Sequence, residues 1–169
     1  MVGAPALIHT AEEYLAAIRD LEARNVPAQH RIAIEFRDTA DEGGIYRKYG
    51  VFVVGPAIVP RHLFFSRNWF VKHADLAEPD MVAEEMAFVQ TNPHEARLRE
   101  IFRVAGIDYG RIDYTVLDGR LQVWEINTNP VVTPRTDEIP QRGPVHRHFV
   151  DAIAAAFVAL DTRAQEARN

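Results

Sequence analysis

Two alternating segments on either side of an Asp-Gly pair are the sequence feature that most constrains the fold. The segments are RIDYTVL, residues 111–117, and LQVWEIN, residues 121–127, with Asp118 and Gly119 between them. Apolar and polar residues alternate when one face of a strand is buried and the other is wet, and Asp-Gly favours a tight hairpin turn. The chain is therefore expected to contain an antiparallel sheet.

The rest of the chain predicts further strands and four helices. A capping box of Thr10 and Glu13 indicates the first helix, and Gly55-Pro56 indicates a tight turn between two short β-branched runs. Asn92 is expected to cap the start of the third helix. The predicted helices cover residues 11–24, the region after position 79, 92–106 and 144–164, and the other predicted strands cover 31–36, 51–54 and 57–59.

Length and composition predict a single α+β domain over residues 1–169, with an antiparallel sheet and helices packed on one of its faces. A chain of 169 residues is long enough for one sizeable core but short for two domains. A net charge of -5 opposes a broad nucleic-acid or anionic-membrane surface, so any bound phosphate should be small. The sequence has no cysteine and no apolar run near the ~20 residues that span a bilayer, so we expect a cytoplasmic protein.

The end of the predicted hairpin carries oxygen-bearing side chains suited to a hard cation. Glu125, Asn127 and Asn129 lie two apart, so they share one face if the strand persists, and Asp113 lies on the partner strand. Mg²⁺ prefers oxygen ligands, usually one or two carboxylates with phosphate oxygens and water. Spacing alone does not decide between this site and the ordinary alternative, which is solvated residues on the wet side of a sheet.

The register of the hairpin determines whether Asp113 and Glu125 can meet. A two-residue turn at Asp118 and Gly119 would place Asp113 opposite Trp124 and turn Glu125 to the other face. An odd-length loop or a bulge would instead place Asp113 opposite Glu125, with Gly119 at the apex of the hairpin. A metal site therefore predicts the second register.

The run GIDYGRIDYTVLDGRLQVWEINTNP, residues 106–130, resembles the metal-binding end of ATP-grasp proteins. In that family an Asp on one strand is followed by Glu-x-Asn on the next, and these side chains hold Mg²⁺ or Mn²⁺ ions that bridge the phosphates of ATP. The resemblance assigns the metal-binding roles to Asp113, Glu125 and Asn127.

An earlier segment resembles the part of the family that binds adenine. AIEFRD, residues 33–38, is similar to the strand and hinge that clamp the base through backbone groups. The resemblance therefore implies that Glu35, Phe36 and Arg37 lie at the adenine hinge. It leaves the ribose contact open between Asp38 and Glu42, and we count Asp38 with the nucleotide-binding residues.

Basic residues between these two regions are candidates for phosphate contacts. YRKYGVFVVG, residues 46–55, is similar to a branch of the family in which Tyr-Arg-Lys-Tyr leads into a strand, and a Ser-x-x-Trp segment follows at SRNWFVKH. That branch often has Arg where this chain has Gly50. Arg47, Lys48 and Arg67 are the candidate catalytic residues that would hold the transferred phosphoryl group. As a group, such basic residues are equally well explained as a solvated face of the sheet.

The resemblance implies an ATP-dependent carboxylate-amine or carboxylate-thiol ligase that acts through an acylphosphate on small-molecule carboxylate and amine substrates. It covers about residues 7–130, the later part of an ATP-grasp module, and no counterpart of the family's N-terminal domain or Gly-rich phosphate-covering loop is found in the sequence. Two interpretations stay open. The first, which we favour, is a ligase of which this chain is a fragment, a shortened relative or one piece of a complex in which a partner chain supplies the missing lobe, so that the isolated chain need not be active. Assembly into a homo-oligomer is also open. The second is a noncatalytic nucleotide-binding or assembly module.

Overall fold

The structure is a computed structural model that describes residues 6–132 and 140–166, apart from the side chains of 163–166. Its helices are α1 (Ala11–Ala23), α2 (Pro79–Thr91), α3 (Glu95–Ala105) and α4 (Gly143–Glu166). Its strands are β1 (Tyr46–Val54), β2 (Ala57–Ser66), β3 (Tyr109–Leu117) and β4 (Arg120–Asn127). The predicted α+β class and both predicted hairpins are confirmed. No helix within the described ranges is long and apolar enough to cross a membrane.

The chain divides into two compact units, Met1–Asp38 and Thr39–Asn169. In the first unit, α1 begins with the predicted capping box. Thr10 Oγ1 accepts the Glu13 N–H at 3.1 Å, and the Glu13 carboxylate accepts the Thr10 N–H at 3.2 Å. These two bonds satisfy backbone donors that the first turn of a helix leaves without partners.

The predicted strand over residues 31–36 is wrong. This segment of the first unit is extended, but it belongs to no strand in the described part of the chain. Ile32 and Ile34 remain 84% and 79% exposed. A stable strand needs a neighbour for its backbone groups and a surface for its apolar side chains, and an alternating sequence supplies neither.

The second unit contains a four-stranded antiparallel sheet in the order β2-β1-β3-β4. The two hairpins therefore lie side by side, joined through β1 and β3, with β2 and β4 at the edges. Four consecutive residues of β1, 51–54, are all buried. Since successive side chains of a strand point to opposite faces, apolar groups must cover both faces of β1.

Helices cover both faces of the sheet, so the prediction that they pack on one face is wrong. On one face, Val51 and Val53 belong to the main core, together with Phe88 of α2 and residues of α3. On the other face, Phe52 packs against Phe149 of α4, with ring centroids 5.4 Å apart. The apolar stripe of α4 covers the second apolar face of β1, which would otherwise be exposed to water.

The junction between α2 and α3 also differs from the prediction. Asn92 ends α2 and does not cap the start of α3: its φ is 42°, and its N–H donates to the Phe88 carbonyl at 3.0 Å. α3 begins at Glu95, and the side chain of the preceding His94 makes no capping hydrogen bond. Asn tolerates the left-handed backbone region, so it suits the end of a helix as well as its beginning.

A buried ion pair ties α2 to β2 and to the residues that precede α4. Glu85, which is 1% exposed, accepts hydrogen bonds from the Arg142 guanidinium at 2.6 and 2.8 Å. The same carboxylate accepts the N–H of Leu63 at 3.0 Å. These donors compensate a carboxylate that has been withdrawn from water.

Candidate functional site

The β3–β4 hairpin turns through two residues. Asp118 and Gly119 have φ values of 50° and 71°, and the flanking residues Leu117 and Arg120 pair with each other. Positive φ at both central residues is typical of the turn that Asp-Gly favours in hairpins. The prediction that Gly119 alone forms the apex is therefore wrong.

An extra residue on β4 nevertheless brings the two predicted carboxylates together. The hairpin register holds as far as Tyr114, which pairs with Val123, and then shifts so that Asp113 pairs with Glu125. Trp124 is the additional residue of this bulge. A bulge places two residues of one strand opposite one of the other and re-aims the side chains beyond it. The prediction that Asp113 and Glu125 lie opposite each other is confirmed.

Gly50 extends this pair into a row that crosses the whole sheet. On β1, Gly50 pairs with Asp113 of β3 on one side and with His62 of β2 on the other. Directly opposed residues carry their side chains on the same face of an antiparallel sheet. The row His62, Gly50, Asp113 and Glu125 therefore lies on one face, which we call the site face. Phe52 lies two residues farther along β1, so α4 packs on this face beyond the row.

Two cations cover the carboxylate of Asp113. Arg111 donates from Nε to Oδ1 at 2.7 Å and from Nη2 to Oδ2 at 3.2 Å, and Lys48 Nζ lies 3.7 Å from Oδ2. Asp113 is 4% exposed, so this bidentate, charge-assisted pair forms largely out of water. Burial lowers the pKa of Lys48; attraction to Asp113 opposes that shift, and repulsion from Arg111 adds to it.

The predicted metal ligands share the site face but differ in exposure. Asp113 is buried, Glu125 is exposed, and Asn127 pairs with Arg111 in the next row. Asn127 Oδ1 accepts the N–H of Asn129 at 2.8 Å. Within the described residues, no group of three His, Cys, Asp or Glu side chains is placed to hold a metal. The predicted ligand set itself offers two carboxylates and one amide. Oxygen donors of this kind suit Mg²⁺ or Mn²⁺.

The structure separates the three cations predicted to contact phosphate. Lys48 lies on the site face, whereas its neighbour Arg47 points to the opposite face, as successive strand residues must. There Arg47 is held by two carboxylates, one of them Glu84 at 3.0 Å. Arg67 lies in an exposed bend after β2. Of the three, Lys48 is the one that the structure places beside Asp113.

The ring of His62 occupies the space of the side chain that Gly50 lacks. A Cβ at Gly50 would lie 2.4 Å from His62 Nε2, which is too close for any side chain. His62 is buried and stacks on Phe64 with ring centroids 3.8 Å apart, and neither of its ring nitrogens has a hydrogen-bond partner in the described structure. Burial holds the pKa of His62 well below its ordinary value, and repulsion from Arg61 and other cations adds to this effect. An arginine at position 50 would require the His62 ring to move.

Reasoning from the sequence missed two residues of the site, Arg111 and His62. The signal for Arg111 was present, because it precedes Asp113 by two positions and strand alternation puts both on one face. His62 has no comparable local signal, because its contact with Gly50 depends on the register between β1 and β2.

The residues predicted to bind adenine lie in the first compact unit. Glu35 and Arg37 form an ion pair at 3.1 Å, with side chains 74% and 54% exposed, and Phe36 is 38% exposed. Together with Asp38 they occupy the extended segment that forms no strand. Their role in nucleotide binding stays a prediction.

A shallow depression of about 280 Å³ in the second unit does not include the predicted metal ligands. Its lining includes Asp41, Arg47, Tyr49, Thr115 and Asp118. The candidate row therefore lies outside this depression, with Asp113 and His62 buried and Glu125 exposed.

Comparison with known proteins identifies no relative: no protein-family model matches the sequence, and neither a search of curated proteins nor a search of solved structures gave a match. A functional assignment therefore depends on the chemistry of the row and on the motifs that resemble ATP-grasp proteins.

Proposed function

We propose that the protein binds ATP together with Mg²⁺ or Mn²⁺ at the site face, as a member of the ATP-grasp superfamily. Asp113, Glu125 and Asn127 are the proposed metal ligands. The proposed chemistry is ATP-dependent ligation of a small-molecule carboxylate to an amine or a thiol. The observation that carries the proposal is the register of the hairpin, which places Asp113 opposite Glu125.

The extra residue on β4 supports this proposal because it contributes little to the core. Trp124 is 44% exposed and belongs to neither of the described core clusters. The bulge instead turns Glu125 toward Asp113, and two carboxylates directly opposed across a strand pair repel each other unless a cation lies between or beside them. Arg111 and Lys48 offset this repulsion in the ligand-free protein, and a divalent ion bound between the two carboxylates would offset it further.

The neighbouring cations support the nucleotide part of the proposal. Lys48 and Arg111 adjoin Asp113 on the site face. A guanidinium group binds phosphate as well as carboxylate in a bidentate manner, and an ammonium group acts as a point charge. A metal held by the carboxylates would neutralise charge on the β- and γ-phosphates while these two residues contact the remaining oxygens.

The proposed reaction needs no protein nucleophile. An oxygen of the acceptor carboxylate bonds to the γ-phosphorus as the bond from that phosphorus to the β–γ bridging oxygen breaks, which yields an acylphosphate and ADP. The amine nitrogen then bonds to the acyl carbon as the bond from that carbon to the phosphate oxygen breaks, and inorganic phosphate and a proton leave. The protein supplies orientation and electrostatic stabilisation.

Isothermal titration calorimetry with Mg·ATP tests the proposal directly. We expect the protein to bind Mg·ATP and the Glu125→Gln variant to lose this binding while keeping its fold, because the exposed carboxylate contributes charge to the metal but no packing. Glu100→Gln is the matched control, since Glu100 is an exposed glutamate paired with Arg103 on α3. Equal affinities for the original chain and the Glu125→Gln variant would overturn the metal assignment.

An ADP-release assay tests whether the chain is catalytic without a partner. Release of ADP from ATP by this chain excludes a purely noncatalytic module. Mg·ATP binding without ADP release supports the binding or assembly module, or an enzyme that needs a partner chain for the missing lobe.

A further inference from the structure

Both oxygens of the buried candidate ligand Asp113 are already engaged. Oδ1 accepts from Arg111 Nε at 2.7 Å, and Oδ2 lies 3.2 Å from Arg111 Nη2 and 3.7 Å from Lys48 Nζ. The side chains of Arg111 and Lys48 are themselves only 15% and 14% exposed. Each carboxylate oxygen keeps a second lone pair, but a metal bound there would lie close to both cations in a partly dry environment, and their repulsion favours the displacement of at least one of them.

Displacement by a metal alone is electrostatically unfavourable. The divalent ion would add positive charge beside Arg111 and Lys48, and each displaced cation would lose its counter-ion while remaining largely buried. A triphosphate alone is also disfavoured, since it would meet the negative charges of Asp113 and Glu125. When the metal and the triphosphate arrive together, their charges largely cancel, and the displaced cations find phosphate oxygens.

The position of Arg111 allows a short transfer from carboxylate to phosphate. Arg111 lies two residues from Asp113 on β3 and directly opposite Asn127 on β4, so it neighbours two of the proposed metal ligands. Phosphate oxygens bound to such a metal would lie within the same small region. The flat guanidinium group offers paired donors to either partner.

We propose that Arg111 and Lys48 hold Asp113 in the ligand-free protein and move to the phosphates when a nucleotide binds, so that metal and nucleotide bind cooperatively. This inference rests on the proposed function and adds Arg111 to the nucleotide-binding residues. In the ligand-free protein the two cations neutralise Asp113 in place of the metal. The inference therefore predicts that Mg²⁺ alone binds more weakly than Mg²⁺ together with a nucleotide.

Calorimetric titrations with Mg²⁺ alone, with the nonhydrolysable analogue AMPPNP in EDTA, and with Mg·AMPPNP test the inference. For the original chain we expect tight binding of Mg·AMPPNP and at least about tenfold weaker binding of each component alone, within the usual range of coupling between sites. For Arg111→Gln we expect about tenfold tighter binding of Mg²⁺ alone and about tenfold weaker binding of Mg·AMPPNP. A merely structural role of Arg111 would not shift the two affinities in opposite directions.

Two further variants complete the experiment. Lys48→Gln should shift both affinities in the same directions as Arg111→Gln, so the test survives if either variant fails to fold. Arg103→Gln is the matched control, because Arg103 pairs with Glu100 on the surface of α3 and should change neither affinity.

The outcomes separate the inference from the proposed function. If the original chain does not bind Mg·AMPPNP, the proposed function fails and the inference fails with it. If Mg·AMPPNP binds but the original chain binds Mg²⁺ alone equally tightly, or if Arg111→Gln and Lys48→Gln leave the Mg²⁺ affinity unchanged, the inference fails and the proposed function stands. Opposite shifts in the two affinities support both.

Discussion

Replacement of Arg142 by Met should destabilise the second compact unit by about 3–5 kcal/mol, the usual effect of removing one member of a buried ion pair. Arg142 donates two hydrogen bonds to Glu85, at 2.6 and 2.8 Å, and both residues are at most 4% exposed. After the replacement, the buried carboxylate keeps the Leu63 N–H as its donor. Since a domain has about 5–15 kcal/mol of stability in total, the loss is a large part of it.

The double variant Glu85→Leu with Arg142→Met provides the internal comparison. It removes both charges and fills the space with apolar groups, so its remaining cost is the Leu63 N–H without an acceptor, about 1–3 kcal/mol. The double variant should therefore be more stable than the single variant Arg142→Met. The order follows from desolvation: an unpaired buried charge costs more than a lost hydrogen bond.

Urea unfolding followed by circular dichroism measures these differences, and thermal unfolding should show the Arg142→Met midpoint lowered by about 6–20 °C. Arg103→Met serves as the control, because its partner Glu100 is on the same helix surface and both side chains are well exposed. It should leave the unfolding midpoint unchanged. A loss below about 1 kcal/mol for Arg142→Met, the level of an exposed pair, would refute the reasoning. So would a double variant less stable than the single one.

Two further predictions concern the hairpin and the buried histidine. Deletion of Trp124 should leave the affinity for Mg·ATP within about twofold of that of the original chain. The reason is that the shortened strand pairs regularly and still places Glu125 opposite Asp113. Loss of Mg·ATP binding in a folded deletion variant would contradict this account of the bulge. The contribution of His62 to the free energy of unfolding should be complete above the ordinary histidine pKa of 6.5, because the pKa of His62 is depressed in the folded state. This contribution should be lost as the pH decreases below 6.5. The pKa of His94 is also lowered by burial and contributes in the same direction. His62→Phe should flatten the decrease measured by urea unfolding between about pH 5 and pH 7, and an unchanged pH dependence would exclude His62 as its source.

Local sequence chemistry predicted the elements whose stability is local. The Thr10 and Glu13 capping box and the turn residues of both hairpins determine structure within a few positions, and these elements are confirmed. The segment over residues 31–36 has an equally regular pattern but forms no strand, because a strand depends on partners elsewhere in the chain. The covering of both sheet faces was likewise a tertiary property, although the unbroken apolar run at residues 51–54 is typical of a strand buried on both sides.

Local rules predict the turn of the β3–β4 hairpin and the facing of Asp113 and Glu125, but they do not predict the bulge that combines them. Turn chemistry predicted a two-residue turn, and cation chemistry predicted that Asp113 and Glu125 face each other. Each requirement is met, and a bulge at Trp124 reconciles them. The turn residues alone do not determine the position of that bulge. Strand alternation also implies that Arg47 and Lys48 cannot share a face, so the sequence alone already limited the site to one of them.

The two opposed carboxylates are not equivalent, and this determines which of them can test function. Glu125 is exposed on the edge strand β4, so its neutralisation removes charge without disturbing the core. Asp113 is the shared partner of Arg111 and Lys48, and its neutralisation would leave two largely buried cations without their counter-ion. Loss of ligand binding in an Asp113 variant would therefore be ambiguous between lost ligation and lost structure. Glu125 is the carboxylate whose replacement separates the two, because its side chain is exposed whereas that of Asp113 is only 5% exposed.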